Sequence, residues 1–283
     1  MQIQTVGVVG AGTMGNGIAQ VFAQAGFDVR LHDTIQPALD RARKTIETSL
    51  GKFVEKGKLD AGQRDAALGR LHATASIDDL AAADYVVEAI IEEVEAKRAL
   101  FGRLDALTRP DVILTSNTSS ISITALGAAT RRPDKVLGMH FMNPVPIMTL
   151  VELIRGQATS AASMAVASEL CARLGKTAVE AADYPGFISN RVLMPMINEA
   201  AYCVMEGVGT PDAIDTVMKL GMSHPMGPLT LADFIGLDVC VAILNVLHDG
   251  LGDPKYRACP LLRRMVAAGH LGRKSGKGFY EYP

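Results

Sequence analysis

An α/β sheet domain followed by an all-helical one is what the apolar pattern predicts for this 283-residue chain. Three observations carry it. Short valine-rich runs alternate with helical stretches up to about residue 180, as in a mostly parallel sheet covered by helices. A glycine-rich turn, Gly10-Ala11-Gly12-Thr13-Met14-Gly15, joins the first run to the first helix. Beyond Tyr184-Pro185-Gly186-Phe187, where proline and glycine break the pattern, every strongly apolar stretch has helical spacing. The expected domains are residues 1–184 and 185–283.

Thr5 to Val9 reads as the first strand. Ile18, Val21, Phe22 and Ala25 then recur at helical spacing, and Gly26 is placed to stop that helix. Val29 to His32 is a second strand ending at Asp33. Residues 36–70 are charged and helical, a helical-hairpin insertion before the next strand, expected at Tyr85 to Ala89. A helix from Glu92 to Leu107 and a strand from Val112 to Ser116 follow. Val136 to Phe141 and Leu150 to Ile154 complete the sheet across the turn Asn143-Pro144-Val145-Pro146. Residues 161–174 are helical, and Ala178 to Glu180 adds a last short strand. The second domain is expected to hold helices at Asn190 to Glu206, Pro211 to Lys219, Leu229 to His248 and Cys259 to Ala268.

Composition narrows the function classes. Hydrophobic residues are 48% and charged ones 20%, ordinary for a globular enzyme. A net charge of −2 offers no basic stripe for nucleic acid and no polybasic membrane patch. Uninterrupted apolar runs stay short of the ~18 residues of a membrane span, and a strand opening at Thr5 leaves no room for a leader. Cys171, Cys203, Cys240 and Cys259 are widely spaced, reading as reduced core thiols with no disulfide framework or metal site. The expected compartment is the cytoplasm.

The opening strand–loop–helix–strand is a Rossmann-type dinucleotide site. Its glycines allow a tight turn, close approach of backbone to a pyrophosphate, and close helix–strand packing; the helix start then meets the phosphates. Gly10, Ala11, Gly12, Thr13, Met14 and Gly15 are the candidate phosphate-binding residues. Asp33, about 20 residues on, is placed to accept hydrogen bonds from ribose hydroxyls. Its charge repels a 2′-phosphate, which favours NAD, although Arg30 and His32 nearby leave NADP open.

The stretch from Asn117 to Glu152 carries the chemistry. His140 closes one apolar run and Glu152 lies in the next, so a hairpin-like return brings an imidazole beside a buried carboxylate. Imidazole suits a base working near neutrality, and a carboxylate orients it and stabilises its charged form.

Several ordered motifs make the family recognisable: Gly10 to Gly15, Val86-Val87-Glu88-Ala89, Ser116-Asn117-Thr118-Ser119-Ser120, Gly138-Met139-His140-Phe141 with Asn143-Pro144, and Pro185-Gly186-Phe187 with Asn190-Arg191. His224-Pro225-Met226-Gly227-Pro228 and the run from Gly272 to Tyr280 complete the set. Over essentially its whole length the chain resembles the short-chain L-3-hydroxyacyl-CoA dehydrogenases. The resemblance implies a Rossmann-type domain, a helical domain that forms a homodimer, and reversible NAD-dependent oxidation of short-chain 3-hydroxyacyl-CoA to 3-ketoacyl-CoA. It places the catalytic base at His140 and makes Ser119 a donor to substrate and nicotinamide. Asn190 takes a polar role near the substrate carbonyl, and Asn143 a cofactor contact. Glu92 and Lys97 match positions near the nicotinamide ribose, and Lys274 one reaching the cofactor from the C-terminal tail. Ser49 and Lys56 match coenzyme A contacts; with Lys52 they fall on one helical face suited to an anion. Two other readings compete. Dehydrogenases of the hydroxyisobutyrate type share the glycine loop but use a lysine base and lack the His140–Glu152 pair. A non-catalytic dinucleotide-binding relative would not need Ser119, His140, Glu152 and Asn190 together.

Overall fold

The computed structural model describes residues 3–283. The chain packs as two compact units that meet in sequence at Asp183 and Tyr184.

The first unit is an eight-stranded sheet. Its elements run β1 (Thr5–Val9), α1 (Thr13–Gln24), β2 (Asp28–His32), α2 (Gln36–Glu55), α3 (Ala61–Gly69), β3 (Leu71–Thr74), β4 (Tyr85–Glu88) and α4 (Val94–Leu107). They continue with β5 (Ile113–Ser116), α5 (Ile123–Gly127), β6 (Val136–Phe141), β7 (Leu150–Arg155), α6 (Ala161–Arg173) and β8 (Thr177–Ala182). The spatial order is β3-β2-β1-β4-β5-β6-β7-β8. All neighbours are parallel except β6 and β7, which form the expected antiparallel return. Chain direction reverses its march across the sheet between β1 and β4, and the crevice at such a switch point is where nucleotides bind in this architecture. Val6, Val8, Val86, Val87, Leu114 and Leu137 are fully buried, as strands covered on both faces require.

The hairpin insertion exists as α2 and α3, but the strand after it was not expected. Leu71–Thr74 pairs parallel with β2 at the sheet edge, so the strand at Tyr85 is fourth in the chain and not third. Only Leu71 of these four residues is buried, and an edge strand with one core side chain carries no apolar run to read.

The second unit holds α7 (Ser189–Met205), α8 (Pro211–Gly221), α9 (Pro228–Ile235), α10 (Leu237–Leu251) and α11 (Pro260–Ala267). One expectation is corrected here. Leu229 to His248 is two helices bent by 97° at Gly236, whose φ of +106° only glycine adopts readily. Apolar residues continue across the bend because Ala232, Leu237, Cys240 and Leu244 all lie in the unit's core. Two buried acids bind the tail within this unit: Asp233 accepts the N–H groups of Phe279 and Tyr280, and Asp215 accepts the Tyr280 hydroxyl. Among the described residues no single helix is long and apolar enough to cross a membrane; α9 and α10 pass that test only as a bent pair, by length and composition.

Candidate active site

The turn after β1 shows why its glycines are needed. Gly10 has a φ of +103°, and a Cβ there would sit 2.4 Å from the Ala89 carbonyl oxygen. A Cβ on Gly15 would lie 1.7 Å from the Gly10 carbonyl oxygen. These two glycines allow the loop to pack on itself and on the segment after β4. Gly12 is different: nothing lies within 4 Å of a Cβ built there, and it lines a cleft of about 630 Å³. No side chain caps the start of α1 at Gly12, which leaves that helix end available to an anion. Thr13, Met14 and Asp33 line the same cleft. The residues present therefore fit a dinucleotide: an open glycine for backbone approach, an uncapped helix start and a carboxylate at the end of β2.

Asp33 is locked in place, one carboxylate oxygen accepting the Ala11 N–H at 2.9 Å and the other the Ile35 N–H at 3.0 Å. The cation lining this cleft is Arg103 on α4, while Arg30 is not among the lining residues. Arg103 escaped sequence reasoning because nothing local links a helix residue to a strand end some 70 positions earlier.

The antiparallel ladder sets His140 directly opposite Glu152. His140 Nδ1 lies 2.8 Å from Glu152 Oε2, and Nε2 lies 3.2 Å from Ser119 Oγ. Both partners are buried, His140 at 7% and Glu152 at 2% exposure. A carboxylate only accepts, so Nδ1 is assigned the proton and Nε2 the lone pair turned toward Ser119. Asn117 braces the same corner, its Oδ1 accepting the Phe141 N–H at 2.8 Å.

Glu92 precedes α4, and Lys97 lies within that helix. Burial raises the Glu92 carboxyl, but the Lys97 ammonium and the donors of residues 118–120 outweigh it and hold the group below its ordinary value. Lys97 is 1% exposed and pairs with Glu88 at the end of β4, a residue sequence reading did not single out. Asn143 is exposed in the turn from β6 to β7. Ser49 and Lys52 line a groove of about 490 Å³ with Arg41 and Lys44; Lys56 stands at the C-cap of α2, outside that lining. In the helical unit, Asn190 occupies the first turn of α7, and Lys274 Nζ donates to Asp238 Oδ2 at 2.7 Å.

Sheet order, glycine turn and strand-end acid together define a Rossmann-type dinucleotide-binding protein. Comparison with known proteins narrows this. Residues 5–184 match the family model for the 3-hydroxyacyl-CoA dehydrogenase NAD binding domain, and residues 186–282 match that for its C-terminal domain. A probable 3-hydroxybutyryl-CoA dehydrogenase of Deinococcus radiodurans is 60% identical, over 98% of this chain and 99% of that protein. The 3-hydroxybutyryl-CoA dehydrogenase of Bradyrhizobium diazoefficiens is 54% identical, over 99% of this chain and 96% of that protein. The crystal structure of (S)-3-hydroxybutyryl-CoA dehydrogenase from Ralstonia eutropha superposes with a TM-score of 0.97 at 48% identity, each chain fully covered. The chain belongs to the 3-hydroxyacyl-CoA dehydrogenase family.

Proposed function

We propose that this protein interconverts (S)-3-hydroxybutyryl-CoA, or a similarly short 3-hydroxyacyl-CoA, and the corresponding 3-ketoacyl-CoA, with NAD as the redox partner. The observation that carries the reading is the chain of contacts Ser119–His140–Glu152, with both ring nitrogens of the histidine engaged. NAD, when bound, supplies the hydride acceptor for C3. In the oxidative direction His140 Nε2 takes the proton of the C3 hydroxyl. Glu152 holds Nδ1–H and stabilises the imidazolium so formed. In the reductive direction the same imidazolium returns the proton to the oxygen. Ser119 Oγ orients that oxygen toward Nε2, and the family likeness assigns Asn190 a further polar contact to substrate.

The glycine turn and Asp33 are assigned to the dinucleotide, with Glu92, Lys97, Ser119, Asn143 and Lys274 as further contacts. Ser49 and Lys56 are assigned to coenzyme A, whose phosphates suit the basic surface of α2. A homodimer is proposed through the helical unit. Val192, Val208, Val217, Leu220 and Met222 are all exposed there, apolar side chains of the kind a subunit interface covers. Free cysteines throughout are consistent with a reducing cytoplasm. The deciding experiment follows NADH absorbance on addition of acetoacetyl-CoA, with 3-hydroxyisobutyrate and NAD as the competing pair. Oxidation of NADH by acetoacetyl-CoA alone is expected. No turnover with any 3-ketoacyl-CoA from C4 to C10 overturns the reading.

A further inference from the structure

Three ionisable side chains lie directly beneath the Ser119 loop, and only one of them reaches solvent. Glu88 is 0% exposed at the end of β4. Its Oε1 accepts from Lys97 Nζ at 2.5 Å and from the Ile90 N–H at 2.7 Å, and its Oε2 accepts from Ser116 Oγ at 2.6 Å. Ser116 Oγ in turn accepts the Thr118 N–H at 3.1 Å. The Lys97 ammonium also lies 3.3 Å from Glu92 Oε2. The other oxygen of Glu92 gathers the loop: it accepts Thr118 Oγ1 at 2.5 Å, the Ser119 N–H at 2.9 Å, the Ser120 N–H at 3.2 Å and Ser120 Oγ at 3.0 Å. One ammonium on α4 thus pairs with two carboxylates, one anchoring the end of β5 and the other holding the backbone of Ser119.

We propose that Glu88, Lys97 and Glu92 form a clamp that fixes Ser119 beside His140, with Lys97 the positioning residue at its centre. This rests on the reading of Ser119 and His140 as groups that act on substrate. The physical argument is charge balance. Removing the cation leaves the fully buried Glu88 without its counter-ion, and takes from Glu92, whose side chain is 41% exposed, the charge that holds it under the loop. The Ser119 and Ser120 amides then lose the Glu92 acceptor they share. A shift of about 1 Å in a group that orients substrate is enough to cost on the order of 10²-fold in rate.

The test uses Lys97→Met, the charge-neutral pair Glu88→Gln with Lys97→Met, and Glu92→Ala, each read by amide exchange and by steady-state kinetics. In Lys97→Met, protection of the Ser119 and Ser120 amides is expected to fall at least about 10-fold while β1 and β2 keep theirs. Its kcat falls at least about 10-fold. The double variant regains thermal stability, because no buried charge is left unpaired, yet keeps the low kcat and the loosened amides. Glu92→Ala, altered at a partly exposed side chain, loosens the same amides and carries the test if Lys97→Met does not fold. Unchanged kcat and amide protection in Lys97→Met overturn the clamp; so does unchanged protection in Glu92→Ala. Amide exchange needs no substrate, so a wild-type protein that fails to turn over acetoacetyl-CoA ends the dehydrogenase reading while the exchange data still decide this one.

Discussion

Glu152 stands directly across the β6–β7 ladder from His140, and the antiparallel pairing brings its Oε2 to 2.8 Å from the ring Nδ1. Register is what makes the contact dependable. A slip of one residue in either strand would put the two side chains on opposite faces of the sheet. His140→Ala is expected to bind NADH with unchanged affinity, measured by fluorescence titration, while turnover of acetoacetyl-CoA falls at least about 10²-fold. Glu152→Gln keeps the shape and loses the charge, and a smaller fall of about 10-fold is expected. Near-normal turnover in His140→Ala removes it from the role of base.

The two kinds of glycine in the first turn should separate in experiment. Gly10→Ala meets both a φ of +103° and the Ala89 carbonyl, so its melting temperature should drop by about 5 °C or more. Gly12→Ala has a φ of −69° and open space around the new methyl, and should melt like wild type. Its methyl projects into the cleft, however, and NADH affinity should weaken at least about 10-fold if the pyrophosphate must approach the backbone there. Equal NADH affinity in Gly12→Ala would place the dinucleotide elsewhere.

Cofactor choice depends on the charge at the end of β2. Asp33→Asn retains an acceptor for the Ala11 amide and removes the negative charge, while Arg103 still lines the cleft. The kcat/KM ratio of NADPH to NADH should rise at least about 10-fold. An interaction of up to about 4 kcal/mol is available at ~4 Å near a protein surface, so a 10-fold change asks for only part of it. An unchanged ratio assigns discrimination to another group.

The loop held by Glu92 should be sensitive to acid. Its folded carboxyl lies below the ordinary 4.5, so its contribution is present in full above that pH and is lost as pH falls through the lowered value. Protection factors for the Ser119 and Ser120 amides are therefore expected to be flat from neutrality down to about pH 5 and to decline below pH 4.5. A decline already under way near neutrality would point to a histidine as the controlling group.

Thiol chemistry offers an independent check on the core. Burial pushes the thiols of Cys171 and Cys240 up to about 12, and Cys259 is also buried, leaving Cys203 as the partly accessible one. Native protein should react with an aromatic disulfide reagent at one site or none, and at all four after denaturation. Fewer than four in denaturant without reductant would indicate an oxidised pair.

What the residues alone determined follows from local rules. A strand, a glycine turn, a helix and a strand-end acid are separated by short spans in which backbone sterics and side-chain periodicity decide the outcome. The His140–Glu152 pairing belongs here too, since two adjacent apolar runs joined by a proline-bearing turn have few ways to pair. Tertiary structure decided the rest, because it depends on burial and on contacts that residue spacing does not encode. β3 is stabilised by its neighbour β2 and not by its own apolar content, and the break at Gly236 interrupts a run of core residues that stays apolar throughout. Lys97 is the plainest case. Its place in the sequence is compatible with reaching a ligand or with joining a buried pair, and only the approach of Glu88 and Glu92, on separate segments, shows where its charge is balanced. Ionic roles are set by burial and by what lies across the fold, neither of which a linear pattern carries.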